Sequence, residues 1–371
     1  MDAEPQANQR IARLTALDAV LARIDARVMP VAAREVALAA AVGRTLADDV
    51  ILPARPAVAL ALRDGWALDS ALTRDASAYA PALLPLAIRI DAGAPLPGGT
   101  DAVAEIDAVV LRDGRAEAIE PITAGEGVLP PGADADGRTV LLPAGRCLHA
   151  AAAGALAAAQ VARIWVREPR VRVARARGGD PILDAAAQWV ARAIEAGGGA
   201  ALVDPSERLE DALRRADADA VLVIGGTGNG RDDASVATLA RLGEVEAHGI
   251  ALSPGETAAF GLFGTCPVLL LPGRLDAALA VFMLLGSRIL AQLAARREEP
   301  GGVSARLVRK VSSNLGLAEL VPVRWRNGEV EPLAAGYLSL QAIARSDGWI
   351  LVAAEREGYP AGASVMVRSW P

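Results

Sequence analysis

The apolar run Val221–Ile224 passes directly into Gly225-Gly226-Thr227-Gly228-Asn229-Gly230, and a helical pattern follows over Ala234–Leu242. A short buried strand that ends in glycines and continues as a helix belongs to a parallel α/β layer. The flanking sequence agrees. Arg170–Arg175, Ala201–Val203 and Val268–Leu271 read as further strands, and Ile182–Ala196, Ser206–Ala216 (Ser206 as N-cap) and Asp276–Leu293 as helices between or after them. This alternation predicts a parallel, doubly wound sheet. Consecutive glycines let backbone N–H groups converge on an anion at the carboxyl edge of such a sheet. On the residues alone, a ligand-free strand-to-helix turn is an equal alternative. The loop is neither GxGxxG nor a P-loop with lysine, so dinucleotide and nucleoside-triphosphate sites lose support.

The 371 residues predict two or three domains. The segment around Leu14–Ile24 reads as a helix opened by a Thr15/Asp18 capping box, and Ala32–Leu46 as a second helix. From Val58 to Leu142, runs such as Leu86–Ile90, Ala102–Val110 and Val140–Leu142 alternate with turn residues, as in a β-rich insert. His149–Val161 is a small-residue helix. Glu298–Gly302 has linker composition, and the strands Glu319–Arg324, Trp349–Val352 and Ser364–Val367 suggest a small terminal β-domain. The expected domains are 1–57 with 143–170, 58–142, 171–297 and 303–371.

A mean hydropathy of +0.30 comes mostly from alanine. Apolar runs such as Ala277–Gly286 fall short of the roughly 20 residues a bilayer requires. The first ten residues have no apolar core for a signal peptide. No membrane is therefore expected, and the chain reads as cytoplasmic. A net charge of −6 argues against a general nucleic-acid binder. Cys147 and Cys266 define neither a disulfide framework nor a zinc site. Lys310 is the only lysine, so 37 of the 38 cationic residues are arginine.

Singly, the acidic candidates are unremarkable. Asp232-Asp233 suits a hard cation, but acids at a helix start are favoured by the dipole in any case. Asp64 in Leu62-Arg63-Asp64-Gly65-Trp66 reads first as an Asp-Gly turn. His149 and His248 read as structural.

Together, and in order, these segments resemble the MoeA family of molybdopterin molybdenumtransferases, related to the C-terminal part of gephyrin. Ala39–Val50 resembles the family's "eAlGrvLAedv" passage, and Asp64–Ala67 its "SAMDGYA" signature. Gly93–Pro97 with Gly99–Val103 resembles "TGAPLPeGaDaV", and Leu141–Gly145 the returning strand. Gly225–Asp233 resembles "GGvSvGekD", Pro254-Gly255 with Phe260-Gly261 resembles "KPGKPlaFG", Leu271-Pro272-Gly273 resembles "LPGNP", and Ser346–Gly348 the terminal "AdG".

The resemblance implies catalytic carboxylates at Asp64, Asp134 and Asp233, with Asp64 and Asp233 holding Mg²⁺. It also implies an oxyanion site at Gly225, Gly226, Thr227, Gly228, Asn229, Gly230, Arg231, Ser253, Pro272, Gly273 and Arg274. Asp180 matches a further family aspartate. Ala92, Pro181, Leu275 and Arg63 depart from the pattern, and Ser253 and Glu256 stand where the family has lysines. Oxyanions need cationic or backbone donors, so Arg274 or Arg231 is expected to replace those lysines.

The implied reaction inserts molybdate into adenylylated molybdopterin and releases AMP. A non-catalytic molybdopterin or cofactor carrier is the alternative. A homodimer of elongated subunits is implied, with the Asp64 loop and the Asp233 loop meeting at one cleft, as are partners such as a molybdoenzyme or other cofactor-synthesis proteins.

Overall fold

The computed structural model describes residues 9–203, 209–215, 217–297 and 301–371. The chain divides into two compact units, 1–48 with 144–371, and 49–143.

The larger unit is built on a six-stranded sheet. Its strands are β1 (Arg170–Arg175), β2 (Ala200–Val203), β3 (Ala220–Ile224), β4 (Glu244–His248), β5 (Ala259–Phe263) and β6 (Cys266–Leu271), in the spatial order β2-β1-β3-β6-β5-β4. Every residue of β3 is buried, because helices cover both faces of the sheet. Alternation along the strand decides which residue meets which layer. Leu222 and Ile224 pack with α1 (Leu17–Arg27), α2 (Pro181–Ala196) and the helical stretch α5 (Leu275–Leu293). Val221 and Val223 pack with α3 (Leu209–Arg214) and α4 (Ser235–Leu242).

The expected all-parallel sheet is corrected to a mixed one. β2, β1, β3 and β6 are parallel, β5 runs against them, and β4, antiparallel to β5, returns to their direction at the edge. The cause is local: Gly264, at φ +60°, and Thr265 close a tight hairpin between Phe263 and Cys266. The α5 stretch is long and apolar enough to cross a membrane by composition, but 67% of its most apolar window is buried within the unit. It is the core helix of the sheet.

Two expectations near the start of the chain are also corrected. Thr15 does not cap α1, whose N-cap is Ala16 without a side-chain bond. Thr15 instead bridges to Ile250: its N–H donates to Gly249 O at 2.8 Å and its carbonyl accepts from Ala251 N at 2.8 Å. The Ala32–Leu46 segment is not one helix. Arg34–Ala37 pairs antiparallel with Arg163–Arg167, a single helical turn spans Leu38–Ala41, and Thr45–Leu46 pairs with the far side of Arg163–Arg167. Pairing that buries Val36 and Leu46 outweighs the helix propensity of the alanines. Val140–Leu142 is likewise no strand, only a single bridge from Leu142 to Val50. Ser206, Ala216 and Glu298–Pro300 lie outside the described residues.

Beyond α5, a second sheet orders Leu252–Ser253, Ala318–Arg326, Gly348–Val352, Ser364–Ser369 and Val303–Arg306. It surrounds a core of Val321, Val323, Ile350, Val352 and Val365. A helix the sequence reading missed, Leu340–Arg345, starts where Ser339 Oγ accepts from Ala342 N.

The 49–143 unit is β-rich, as expected. Gly65–Leu68 lies between Ala87–Ile90 and Ala102–Ala104. A Cβ at Gly65 would stand 2.0 Å from Ala104 O, so only glycine fits that strand start.

Candidate functional site

Three strand-to-helix turns meet at the carboxyl edge of the parallel strands. Ala176 N donates to Ile224 O at 2.9 Å and Gly225 N to Leu271 O at 2.8 Å, joining the ends of β1, β3 and β6. Gly225 and Gly226 adopt φ of +97° and +73°, where side chains are disfavoured. A Cβ on Gly273 would come within 3.6 Å of Gly225 Cα, so the Pro272-Gly273 turn packs directly on the loop.

The glycine loop is a structured arch. Ser235 closes it, with Oγ donating to Gly225 O at 2.9 Å and N to Gly226 O at 3.0 Å. Thr227 is buried, its Oγ1 lies 3.0 Å from Thr257 Oγ1, and its carbonyl accepts from His248 Nε2. Asp233 folds back so that its Oδ2 accepts from Gly230 N at 2.8 Å. Its other carboxylate oxygen has no partner among the described residues. Asn229, Arg231 and Asp232 are exposed. A bulky residue at Gly226 would be no clean probe of binding. Its Cβ would meet Ser235 Oγ at 2.3 Å and break the arch itself.

The expected cations divide. Arg231 makes no ion pair among the described residues. Arg274 is already engaged: its Nε and Nη2 donate to the two oxygens of Asp276 at 3.1 and 2.5 Å, and its guanidinium stacks 5.1 Å from the Tyr337 ring. The hydrogen bond to Asp276 raises the Arg274 pKa above the usual guanidinium range, and the charges of Asp276 and Glu256 add to it. Asp276 is buried and also accepts from Leu338 N at 3.2 Å. Glu256 turns its carboxylate onto Gly255 N at 3.1 Å. Ser253 is buried opposite Glu319 in the short parallel pairing with Ala318–Glu319. Asp180 caps α2 through Ile182 N and pairs with Arg177.

Asp64 and Asp134 belong to the 49–143 unit. Asp64 is exposed at the turn into Gly65–Leu68, and one carboxylate oxygen accepts from Ala92 N at 2.8 Å. Arg63, beside it, bridges Glu105 and Glu126. Asp134 is exposed, held by its backbone N–H to Arg55 O at 2.9 Å. No cluster of three or more metal-ligating side chains occurs among the described residues.

Sequence reasoning missed Asp276, Tyr337 and Gln9: Asp276 pairs with its near neighbour Arg274 and with the distant Leu338 amide, and Tyr337 and Gln9 meet their partners only through the fold. Gln9 donates from Nε2 to the carbonyls of Gly226 and Gly228 and accepts from Ala237 N. A cavity of about 910 Å³ in the larger unit shares no lining residue with this site. It lies against α1 and α5, lined by Arg146, His149 and Arg368 among others.

Comparison with known proteins bears on the whole chain. The model described as "MoeA N-terminal region (domain I and II)" matches residues 15–159, "Probable molybdopterin binding domain" matches 179–292, and "MoeA C-terminal region (domain IV)" matches 304–370. Molybdopterin molybdenumtransferase 1 of Mycobacterium tuberculosis is 31% identical over 254 residues, 62% of this chain and 59% of that protein. A candidate molybdopterin biosynthesis protein of Methanocaldococcus jannaschii is 34% identical over 167 residues, 44% of this chain and 40% of that protein. The chain thus spans about two to three fifths of the length of these curated relatives. The crystal structure of the molybdopterin biosynthesis MoeA protein from Pyrococcus horikosii matches with a TM-score of 0.77 at 25% identity, covering 97% of this chain and 100% of that one.

Proposed function

The chain belongs to the MoeA family, and from that premise we propose that it inserts molybdate into adenylylated molybdopterin and releases AMP. The observation that carries the proposal is the glycine arch at the carboxyl edge of β3, within the stretch matched by the molybdopterin binding domain. Such an arch presents backbone donors to a phosphate or oxyanion without a lysine. Pro272-Gly273, packed on Gly225, forms its second wall.

The roles assigned to this chain's residues follow. The loop Gly225–Gly230 holds a phosphate oxygen through backbone N–H groups, and exposed Arg231 adds the mobile cation. Asp64, Asp134 and Asp233 supply carboxylates for the reacting groups. Mg²⁺ is typically held by one or two carboxylates together with substrate phosphates. Taken singly, Asp64 and Asp233 each use one oxygen for a backbone N–H and keep the other unpartnered among the described residues, and their assignment to Mg²⁺ rests on the family resemblance. When bound, Mg²⁺ would neutralise phosphate charge. The domain boundaries 1–57 with 143–170, 58–142, 171–297 and 303–371, a homodimer, a cytoplasmic location and delivery to a molybdoenzyme or other cofactor-synthesis proteins belong to the same proposal.

The test is AMP release from adenylylated molybdopterin with Mg²⁺ and molybdate. Wild type is expected to release AMP, and Asp233→Ala and Asp64→Ala to lose most of the rate. Tight binding without AMP release would instead make the protein a carrier.

A further inference from the structure

The glycine arch has a side that the family resemblance does not account for. Gln9 stands ahead of the matched stretches, which begin at residue 15. Its Nε2 donates to Gly226 O at 3.2 Å and to Gly228 O at 3.1 Å, and its Oε1 accepts from Ala237 N at 2.9 Å. All of its amide's hydrogens are used, on two carbonyls of the loop.

The consequence follows from peptide geometry. A trans peptide points its C=O and the next residue's N–H in opposite directions. The cis peptides of the described residues are Arg55-Pro56 and Ser253-Pro254, so the loop peptides are trans. With the carbonyls of Gly226 and Gly228 both drawn to Gln9, the N–H groups of Thr227 and Asn229 are turned away from it. Neither N–H has a partner among the described residues. A glycine-rich loop flips its peptides readily, and a flipped peptide would put a carbonyl where an oxyanion needs a donor.

The segment that delivers Gln9 is itself anchored. Thr15 bridges to Ile250, and Ile11 packs where a Cβ on Gly249 would stand 2.4 Å from its Cγ2. Gln9 therefore reaches the loop from a fixed backbone. The same Gln9 amide takes the Ala237 N–H of the first turn of α4, so that donor is spent on the protein and not on a ligand.

We infer that Gln9 is a positioning residue for the oxyanion site: it fixes the peptide orientation of the glycine loop so that the Thr227 and Asn229 amides face the ligand's phosphate or molybdate oxygens. The inference rests on the proposed function for the identity of the ligand, but not for the state of the loop.

Two full-length variants separate the parts. Gln9→Glu keeps an acceptor for Ala237 N but cannot donate to the two carbonyls, and Gln9→Ala removes all three bonds. The first measurement is hydrogen exchange of the segment 225–233 in the ligand-free protein, with melting temperature as the control. The second is affinity for AMP and for inorganic phosphate, with KM and kcat for AMP release. Both variants are expected to exchange faster in that segment, with an unchanged melting temperature. They are expected to bind AMP about 5- to 10-fold more weakly, the scale of one or two neutral hydrogen bonds, and to raise KM more than they lower kcat. Wild-type exchange and affinity in Gln9→Glu would overturn the inference. If wild type binds neither AMP nor adenylylated molybdopterin, the proposed function fails. The exchange measurement then still decides whether Gln9 sets the loop, and unaltered exchange refutes that as well.

Discussion

Replacing Arg274 by alanine tests whether this arginine is a ligand cation or a structural one. The guanidinium makes two hydrogen bonds to Asp276, at 3.1 and 2.5 Å, and the Asp276 side chain is only 4% exposed. Without Arg274, that carboxylate keeps a single partner, the Leu338 N–H. Breaking a wholly buried pair costs about 3–5 kcal/mol. Here the Arg274 side chain is 59% exposed, so water screens the pair and also reaches the orphaned acid. Discounting towards the surface-pair scale leaves about 1.5–2.5 kcal/mol for Arg274→Ala. Asp276→Asn keeps an acceptor for Leu338 N and is expected to cost about 1 kcal/mol. Equilibrium urea unfolding at pH 7, followed by tryptophan fluorescence and far-UV circular dichroism, reads both. The double variant should show a coupling of about 1 kcal/mol. Arg274→Ala within about 0.5 kcal/mol of wild type would refute the argument that this pair ties the start of α5 to the Leu338 segment. Binding provides the second half of the test. Asp276→Asn releases the guanidinium charge, so phosphate affinity should rise, whereas a fall would mean that the paired geometry itself is what the ligand needs.

Three further outcomes are expected. Asp136 accepts from Thr139 Oγ1, Thr139 N and Arg138 N, and its pKa is depressed to about 2, chiefly by the Thr139 hydroxyl. Its contribution to the stability of the 49–143 unit is therefore present above the unfolded value of about 3.9 and lost as pH falls towards 2; a carboxyl-carbon NMR titration midpoint near 3.9 would refute this. Burial raises the Cys266 pKa to about 11, with Asp219 adding to it, so at pH 8 only about one thiol in a thousand is thiolate; iodoacetamide labelling as fast as a free cysteine would contradict that. Gly65→Ala places a Cβ 2.0 Å from Ala104 O and should destabilise the 49–143 unit by about 1–3 kcal/mol in denaturant unfolding, and a wild-type midpoint would remove the close approach from consideration.

The elements legible in the sequence are those whose local pattern and tertiary role coincide. β1, β3 and α2 fall within one residue of their expected bounds, because continuous apolar runs and helical spacing there report burial on both faces of one sheet. The failures share a cause. Thr15 looks like a cap, yet its backbone is taken by Gly249 and Ala251, residues more than two hundred positions away. Arg34–Ala37 is alanine-flanked and helix-like until Arg163–Arg167 offers it a pairing edge. The reversed strand β5 is joined to β6 by a hairpin signal, Gly264-Thr265, that alternation of strands and helices elsewhere obscures. At the site, the glycine loop is legible because its chemistry is contiguous. Asp276 and Gln9 are not, since nothing near either residue signals the Leu338 amide or the Gly226 and Gly228 carbonyls that occupy them.

That contrast bears on how an anion site can operate with a single lysine in the chain. The charged side chains around the two turns are largely committed to the protein: Arg274 to Asp276, Glu256 to the Gly255 amide, and Asp233 to Gly230 N. Glu256 is not a bare negative charge facing the ligand, because its carboxylate is tied to its own turn and its field is opposed by Arg274. What remains for an oxyanion is backbone, together with the exposed Arg231. Fixed amides lose little entropy on binding, and hydrogen bonds to a charged acceptor are about twice as strong as neutral ones. Such donors act only if their peptides cannot rotate. A site that draws on amides in place of lysines thus depends on whatever holds the loop's carbonyls away from the ligand, and in this chain Ser235, Gln9 and His248 hold those of Gly225, Gly226, Thr227 and Gly228.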